Sequence, residues 1–225
     1  VQNAPWKKRL IEKLIDDGHD ISILFAEASF LRHLKFGLRN SGLKISSKKR
    51  EINSISKVKL YPFFKDKIVV KKVNNVNSFK SQKIIENFKP DCLLLLGSGI
   101  IRPNILSIPR LCTLHCHIGK LPEMRGTNTV HWSVLLSKEL FLSMRKVDSG
   151  IDTGNVIKLK EIPYHHLNTI DEVYESCYDE IVELIFRTIK EGKFNETINF
   201  DKVVDPLNYE SSETSSNLEE SNSDK

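Results

Sequence analysis

The sequence has no apolar run long enough to cross a membrane. The longest candidate, Cys92 to Leu96, is carried on only through Gly97-Ser98-Gly99 to Ile101, well short of the roughly 18 to 20 residues a spanning helix needs. A leader pattern is missing as well, because Trp6-Lys7-Lys8-Arg9 leads into an amphipathic segment rather than an apolar stretch closed by small residues. Cysteine is scarce: Cys92, Cys112, Cys116 and Cys177 are the only four, with no Cys-x-x-Cys pair. That usage predicts reduced thiols in a cytoplasmic protein rather than a disulfide scaffold. Ten Gly and eight Pro exclude collagen-like and globally disordered chains. There is no internal repeat, zinc-finger spacing, helix-turn-helix pattern or aromatic RNA-binding signature, so nucleic acid is not an expected partner.

What is present is a chain of 225 residues, 40% of them hydrophobic, which suits a single domain with a core of ordinary size. Its net charge of +5 is unevenly spread. Residues 201–225 hold seven acids and two bases, leaving 32 basic against 22 acidic residues in the first 200, a net of +10. Ser211 to Lys225 is Ser-, Asn- and Glu-rich without aromatic or β-branched aliphatic residues, a composition that predicts disorder. The expected organisation is therefore a domain over 1–200 and an acidic tail over 201–225. Lys48-Lys49-Arg50, Lys57, Lys59, Lys65, Lys67 and Lys71-Lys72 concentrate positive charge between Lys44 and Lys83. This is either a solvated face or a site for a phosphorylated or nucleotide-linked substrate.

Helical spacing predicts helices at Trp6–Asp17, Glu27–Asn40, Ser78–Phe88, Asn128–Leu136 and Ile170–Glu191, the last with a stripe of Val173, Cys177, Ile181, Leu184, Ile185 and Ile189. Strands are expected at Ile21–Phe25, Ile68–Val73, Asp91–Leu96, Leu111–Ile118, Leu140–Val147 and Val156–Ile162. Apolar strands alternating with helices predict an α/β fold, a Rossmann-like, mostly parallel sheet flanked by helices. The pattern opens on a helix where such a sheet normally opens on a strand. Val1-Gln2-Asn3 reads as the stump of that strand, and the lack of an initiator Met suggests truncation.

Three clusters could carry chemistry. In Cys112-Thr113-Leu114-His115-Cys116-His117, strand alternation puts His115 and His117 on one face and Cys116 on the other. The carboxyl end of a parallel strand is also where ligands bind in such sheets. Val147-Asp148-Ser149-Gly150-Ile151-Asp152-Thr153-Gly154 offers glycines for close backbone approach and a carboxylate, although such sequences are also ordinary turns. Gly97-Ser98-Gly99-Ile100-Ile101-Arg102-Pro103 fits neither a phosphate loop nor Gly-x-Gly-x-x-Gly, and reads as a ligand-lining turn. A zinc module of Cys112, His115, Cys116 and His117 is a competing reading, opposed by that same alternation.

Leu114-x-x-His117, Leu121-Pro122-x-x-Arg125-Gly126 and Val147-Asp148-x-Gly150-Ile151-Asp152-Thr153-Gly154, with His117 and Asp152 35 positions apart, resemble the folate-dependent formyltransferase family. The similarity spans Trp6 to Glu191. It implies an N-formyltransferase that moves a formyl group from 10-formyltetrahydrofolate to a primary amine. By the resemblance, the family's catalytic His falls on His117, its Asp on Asp152, and its Asn, two places before the His, on His115. The donor is expected against Gly97, Ser98, Gly99, Ile100 and Ile101 and against Asp148, Gly150, Ile151 and Asp152. The acceptor is expected on the side of Arg125, Gly126, Thr127 and Trp132. No metal is implied.

Arg125-Gly126-Thr127-Asn128-Thr129-Val130-His131-Trp132 looks like the sugar N-formyltransferase branch, which makes an amino-sugar nucleotide the expected acceptor. A methionyl-tRNA enzyme would carry a further domain where only about thirty residues follow Glu191, and a glycinamide ribonucleotide enzyme a Gly-rich loop near Trp6. The last remains an alternative, as does a catalytically impaired folate-binding homologue, since His115 stands in the Asn position. A homodimer is left open.

Overall fold

Leu10, Ile11 and Leu14 recur at helical spacing and are all buried in α1 (Pro5–Asp16), the first element of a computed structural model that describes residues 5–26, 68–196 and 198. The expected helix at Glu27–Asn40, most of the basic segment and the acidic tail lie outside the described residues. Gly18, at φ +88°, turns the chain into β1 (Ser22–Ala26), which pairs in parallel with β2 (Val69–Val73). Then come α2 (Phe79–Phe88), β3 (Cys92–Leu95), the short α3 (Pro103–Leu106), β4 (Cys112–Ile118), α4 (Thr129–Leu135), β5 (Leu140–Lys146), β6 (Val156–Ile162) and α5 (Ile170–Glu191).

Helix ends follow local chemistry. Ser78 caps α2 by accepting from the Ser81 N–H. Thr169 and Glu172 form a reciprocal capping box at the start of the 22-residue α5, and Gly192, at φ +65°, closes it, so orphan backbone groups at both ends find partners.

The mixed α/β architecture is the expected one, with strands in two groups: β1-β2, and a four-stranded sheet in the order β3-β4-β5-β6. Within the latter β3 and β4 are parallel, whereas β4-β5 and β5-β6 are antiparallel. The β5-β6 direction follows from the short loop between them, because only antiparallel neighbours can be joined so briefly. One face of the larger sheet is sealed by α5, with Leu114, Leu142, Met144, Cys177 and Ile185 all fully buried together. The opposite face of β4 and β5 carries polar side chains at alternate positions, and it is there that the candidate site forms.

Candidate functional site

In the β4-β5 ladder His115 lies opposite Arg145 and His117 opposite Ser143, so these four share a sheet face while Leu114, Leu142 and Met144 fill the core. His117 is 6% exposed. Its Nε2 lies 2.8 Å from the Met124 carbonyl oxygen. A carbonyl can only accept, so Nε2 carries the hydrogen and Nδ1 is left as the basic nitrogen. Nδ1 lies 3.7 Å from Asp152 Oδ2, close enough for electrostatic coupling but too long for a direct hydrogen bond. The His115 and His117 ring centroids are 6.3 Å apart.

Asp152 reaches this face from the β5-β6 loop in a left-handed conformation, φ +47°, followed by Gly154 at φ +83°. Asp148 Oδ1 braces the loop by accepting from the Gly150 N–H at 3.1 Å and the Thr153 hydroxyl at 2.6 Å. The Asp152 carboxylate accepts from the Gly126 N–H at Oδ2 (2.9 Å) and from Arg145 Nη2 at Oδ1 (2.8 Å). Ser143 holds the turn after β4: its hydroxyl donates to the Gly119 carbonyl (2.6 Å) and accepts from the Leu121 N–H (3.1 Å).

These environments shift protonation in opposite senses for carboxylate and imidazoles. Burial alone would push the Asp152 carboxyl up. The Gly126 bond and the charges of His117, Arg145 and His115 outweigh it and hold the group below its usual range. Burial, aided by Arg145 and His117, lowers His115 to about 4 against the opposing pull of Asp152. Burial likewise lowers His117, with Arg145 assisting, although Asp152 and the Met124 bond oppose it. At neutral pH the site therefore holds one carboxylate, one guanidinium and two neutral imidazoles.

Two cavities border these groups. The larger, about 320 Å³, is lined among others by Lys7, Gly97, His115, His117, Gly126 and Thr127. The smaller, about 250 Å³, is lined among others by Leu121, Arg125, Asp152 and Gly154. The three residues expected to act on the substrate, His115, His117 and Asp152, are thus brought together. Of the expected substrate-facing residues, Gly126 and Thr127 border the larger cavity and Arg125 the smaller, while Trp132 is half exposed on α4 and lines neither. Gly97 borders the larger cavity; Ser98, Gly99, Ile100 and Ile101 do not, and neither do Asp148, Gly150 and Ile151. Ile101 is buried, but Ile100 and Ile151 are 73% and 67% exposed, and the Ser98 hydroxyl is buried without a hydrogen-bond partner among the described residues.

Among the described residues no three His, Cys, Asp or Glu side chains form a metal-binding cluster. Sequence reasoning missed Arg145, Ser143, the Met124 carbonyl and Lys7. The buried Lys7 donates to the Leu96 carbonyl at 3.0 Å. The polar alternation at Ser143 and Arg145 within an otherwise apolar strand was the available signal for two of them.

No protein-family profile matches the chain. It is similar to the methionyl-tRNA formyltransferase of Desulforamulus reducens, 26% identical over 125 residues, which is 55% of this chain and 39% of that protein. The methionyl-tRNA formyltransferase of Koribacter versatilis is 22% identical over 181 residues, 80% of this chain and 53% of that protein. The chain thus spans about half or less of the length of these relatives. Its fold matches that of a sugar N-formyltransferase from Shewanella sp FDAARGOS_354 with a TM-score of 0.59 at 14% identity, covering 89% of this chain and 72% of that one. It also matches phosphoribosylglycinamide formyltransferase from Bacillus halodurans, with a TM-score of 0.58 at 12% identity, covering 83% and 88%.

Proposed function

We propose that the chain, which is similar to methionyl-tRNA formyltransferases in sequence and to formyltransferases in fold, transfers a formyl group from 10-formyltetrahydrofolate to a primary amine, with His117 at the reacting centre. The observation that carries this reading is the arrangement of His117 Nδ1, a free base beside the Asp152 carboxylate, with its opposite nitrogen tied to Met124. 10-Formyltetrahydrofolate, when bound, supplies the formyl carbon and the leaving nitrogen. The exposed Ile100 and Ile151, on the two loops assigned to the donor, suit a flat aromatic ring laid against them.

His117 Nδ1 accepts the proton shed by the attacking amine and passes it on to the departing nitrogen. Asp152 stabilises the imidazolium in between. His115 occupies the position from which a donor reaches the formyl oxygen as it gains negative charge. Its buried Nδ1 has no hydrogen-bond partner among the described residues, and a neutral imidazole N–H can fill the role of an amide donor.

For the acceptor, an amino-sugar nucleotide is the preferred class, supported by the Arg125 to Trp132 stretch and by the cavity beside Gly126 and Thr127. Methionyl-tRNA is the second reading, favoured by the sequence relatives. The test is formyl transfer by the purified chain to an amino-sugar nucleotide, glycinamide ribonucleotide and methionyl-tRNA in parallel. Transfer to the first, falling about 10²- to 10⁴-fold in His117→Ala and Asp152→Ala, is expected. Unchanged turnover in those variants overturns the residue roles, and no transfer to any acceptor overturns the reaction.

A further inference from the structure

Arg145 is 5% exposed on a strand whose neighbours Leu142 and Met144 are wholly buried. A guanidinium cannot be deprotonated to escape burial, so it must be paired. Two of its nitrogens are: Nη2 donates to Asp152 Oδ1 at 2.8 Å and Nη1 to the Thr153 carbonyl at 3.2 Å. The third, Nε, is buried without a hydrogen-bond partner among the described residues, as is Nδ1 of His115, its cross-strand neighbour. The β5-β6 register also slips between Met144 and Arg145, and irregularities of this kind re-aim side chains beside functional sites.

Resting on the formyl-transfer reading above, we infer that Arg145 is a positioning residue that sets His117 up as the proton acceptor. It ties one Asp152 oxygen, turns the other toward Gly126 and His117, and counterbalances the carboxylate's charge. With Arg145 in place the Asp152-Arg145 pair carries no net charge, and the guanidinium offsets the pull of the carboxylate toward a protonated His117. Without it, the carboxylate faces His117 alone and favours the imidazolium, which cannot accept the amine's proton. Among the described residues the other ionisable groups around this cluster include His115 and Cys116 on β4, Asp148 in the Asp152 loop, Arg125 beside Asp152, Lys7 on α1, and Tyr174 and Tyr178 on α5, which border the larger cavity with His117.

The experiment uses Arg145→Met, Arg145→Gln and Arg145→Lys in the full chain, each checked for folding by circular dichroism. Two quantities are measured: the imidazole NMR titration of His117, assigned by its loss in His117→Ala, and the pH profile of formyl transfer. In the Met and Gln variants the His117 titration and the acid limb of kcat/KM are expected to move to higher pH, with kcat down about 10²-fold and KM for the acceptor little changed. Arg145→Lys, which keeps the charge, is expected to restore both toward the parent. A His117 titration unmoved in whichever neutral variant folds overturns the inference, because a purely structural role lowers stability without shifting a proton. If the parent transfers no formyl group, the proposed reaction falls while the NMR titration still decides the role of Arg145.

Discussion

His115 places an imidazole where solvation is poor and a permanent cation lies across the strand pair, and the cost falls on its charged form. Its titration point drops from the ordinary 6.5 to about 4 in the folded chain. Between those values the unfolded chain binds a proton that the folded chain refuses, so stability is lost as pH falls through that window and is fully present above it. At 1.36 kcal/mol per unit the loss is about 3 kcal/mol. His115→Asn removes the titrating group, and urea unfolding across the same pH range should give a flatter profile for the variant than for the parent. Equal slopes would mean that His115 is protonated in the fold. The residue itself was legible in the sequence, since strand alternation places it beside His117. Its lowered titration point was not, because that depends first on burial in the fold and then on Arg145, thirty positions away and brought opposite only by the β4-β5 register.

The junction of β4 with the turn after it shows what an element contributes beyond its residues. Gly119 follows the strand at φ +151°, and its N–H donates to the Phe141 carbonyl at 2.7 Å. A Cβ built there would lie 2.7 Å from the Met124 carbonyl oxygen and 2.8 Å from His117 Nε2, the two atoms of the hydrogen bond that fixes the His117 ring. Gly119→Ala must therefore displace the ring or the turn. We expect about a 10²-fold fall in formyl transfer, with a thermal midpoint that moves much less; unchanged transfer would show that the Met124 bond does not orient His117. Helix spans were readable from apolar spacing; the caps at Ser78, Thr169 and Gly192 came from the structure. Strand direction in β5 and β6 was not readable, since alternating apolar residues look alike either way. A backbone acceptor such as Met124 leaves no trace in residue identity, which is why the fold had to supply it.

Across the molecule the two groups of strands are held by different amounts of core. β4, β5 and β6 share a large cluster with α5, whereas β1 and β2 are backed by a small one in which Ile11 is buried and Ile15, Ile23, Ile68 and Val70 are only partly covered, and β1 also, through Leu24, by a second small one of Ile85, Ile101 and Ile105. Helix α1 serves the first two, with Leu10 and Leu14 turned into the large cluster and Ile11 into the first small one. It is fastened to α5 by Trp6 stacked on Tyr178 at 5.6 Å, by Lys13 paired with Glu183 at 2.5 Å, and by Arg9 paired with Asp179. Surface ion pairs add little, so the apolar contacts decide which part opens first. Amides of Ser22–Ala26 and Val69–Val73 should exchange through local opening at lower free energy than those of Cys112–Ile118 and Leu140–Lys146. Ile11→Ala should weaken protection of the β1-β2 pair by about 2 kcal/mol, the low end for a buried Ile, and leave the β4-β5 amides unchanged. Hydrogen exchange followed by mass spectrometry measures both. A uniform loss across the two groups would mean that they open as one unit, and the His117-Asp152-Arg145 cluster would then be only as durable as the smaller core. Separate losses would leave the cluster intact while the smaller group opens, because each of its strands lies in the larger sheet.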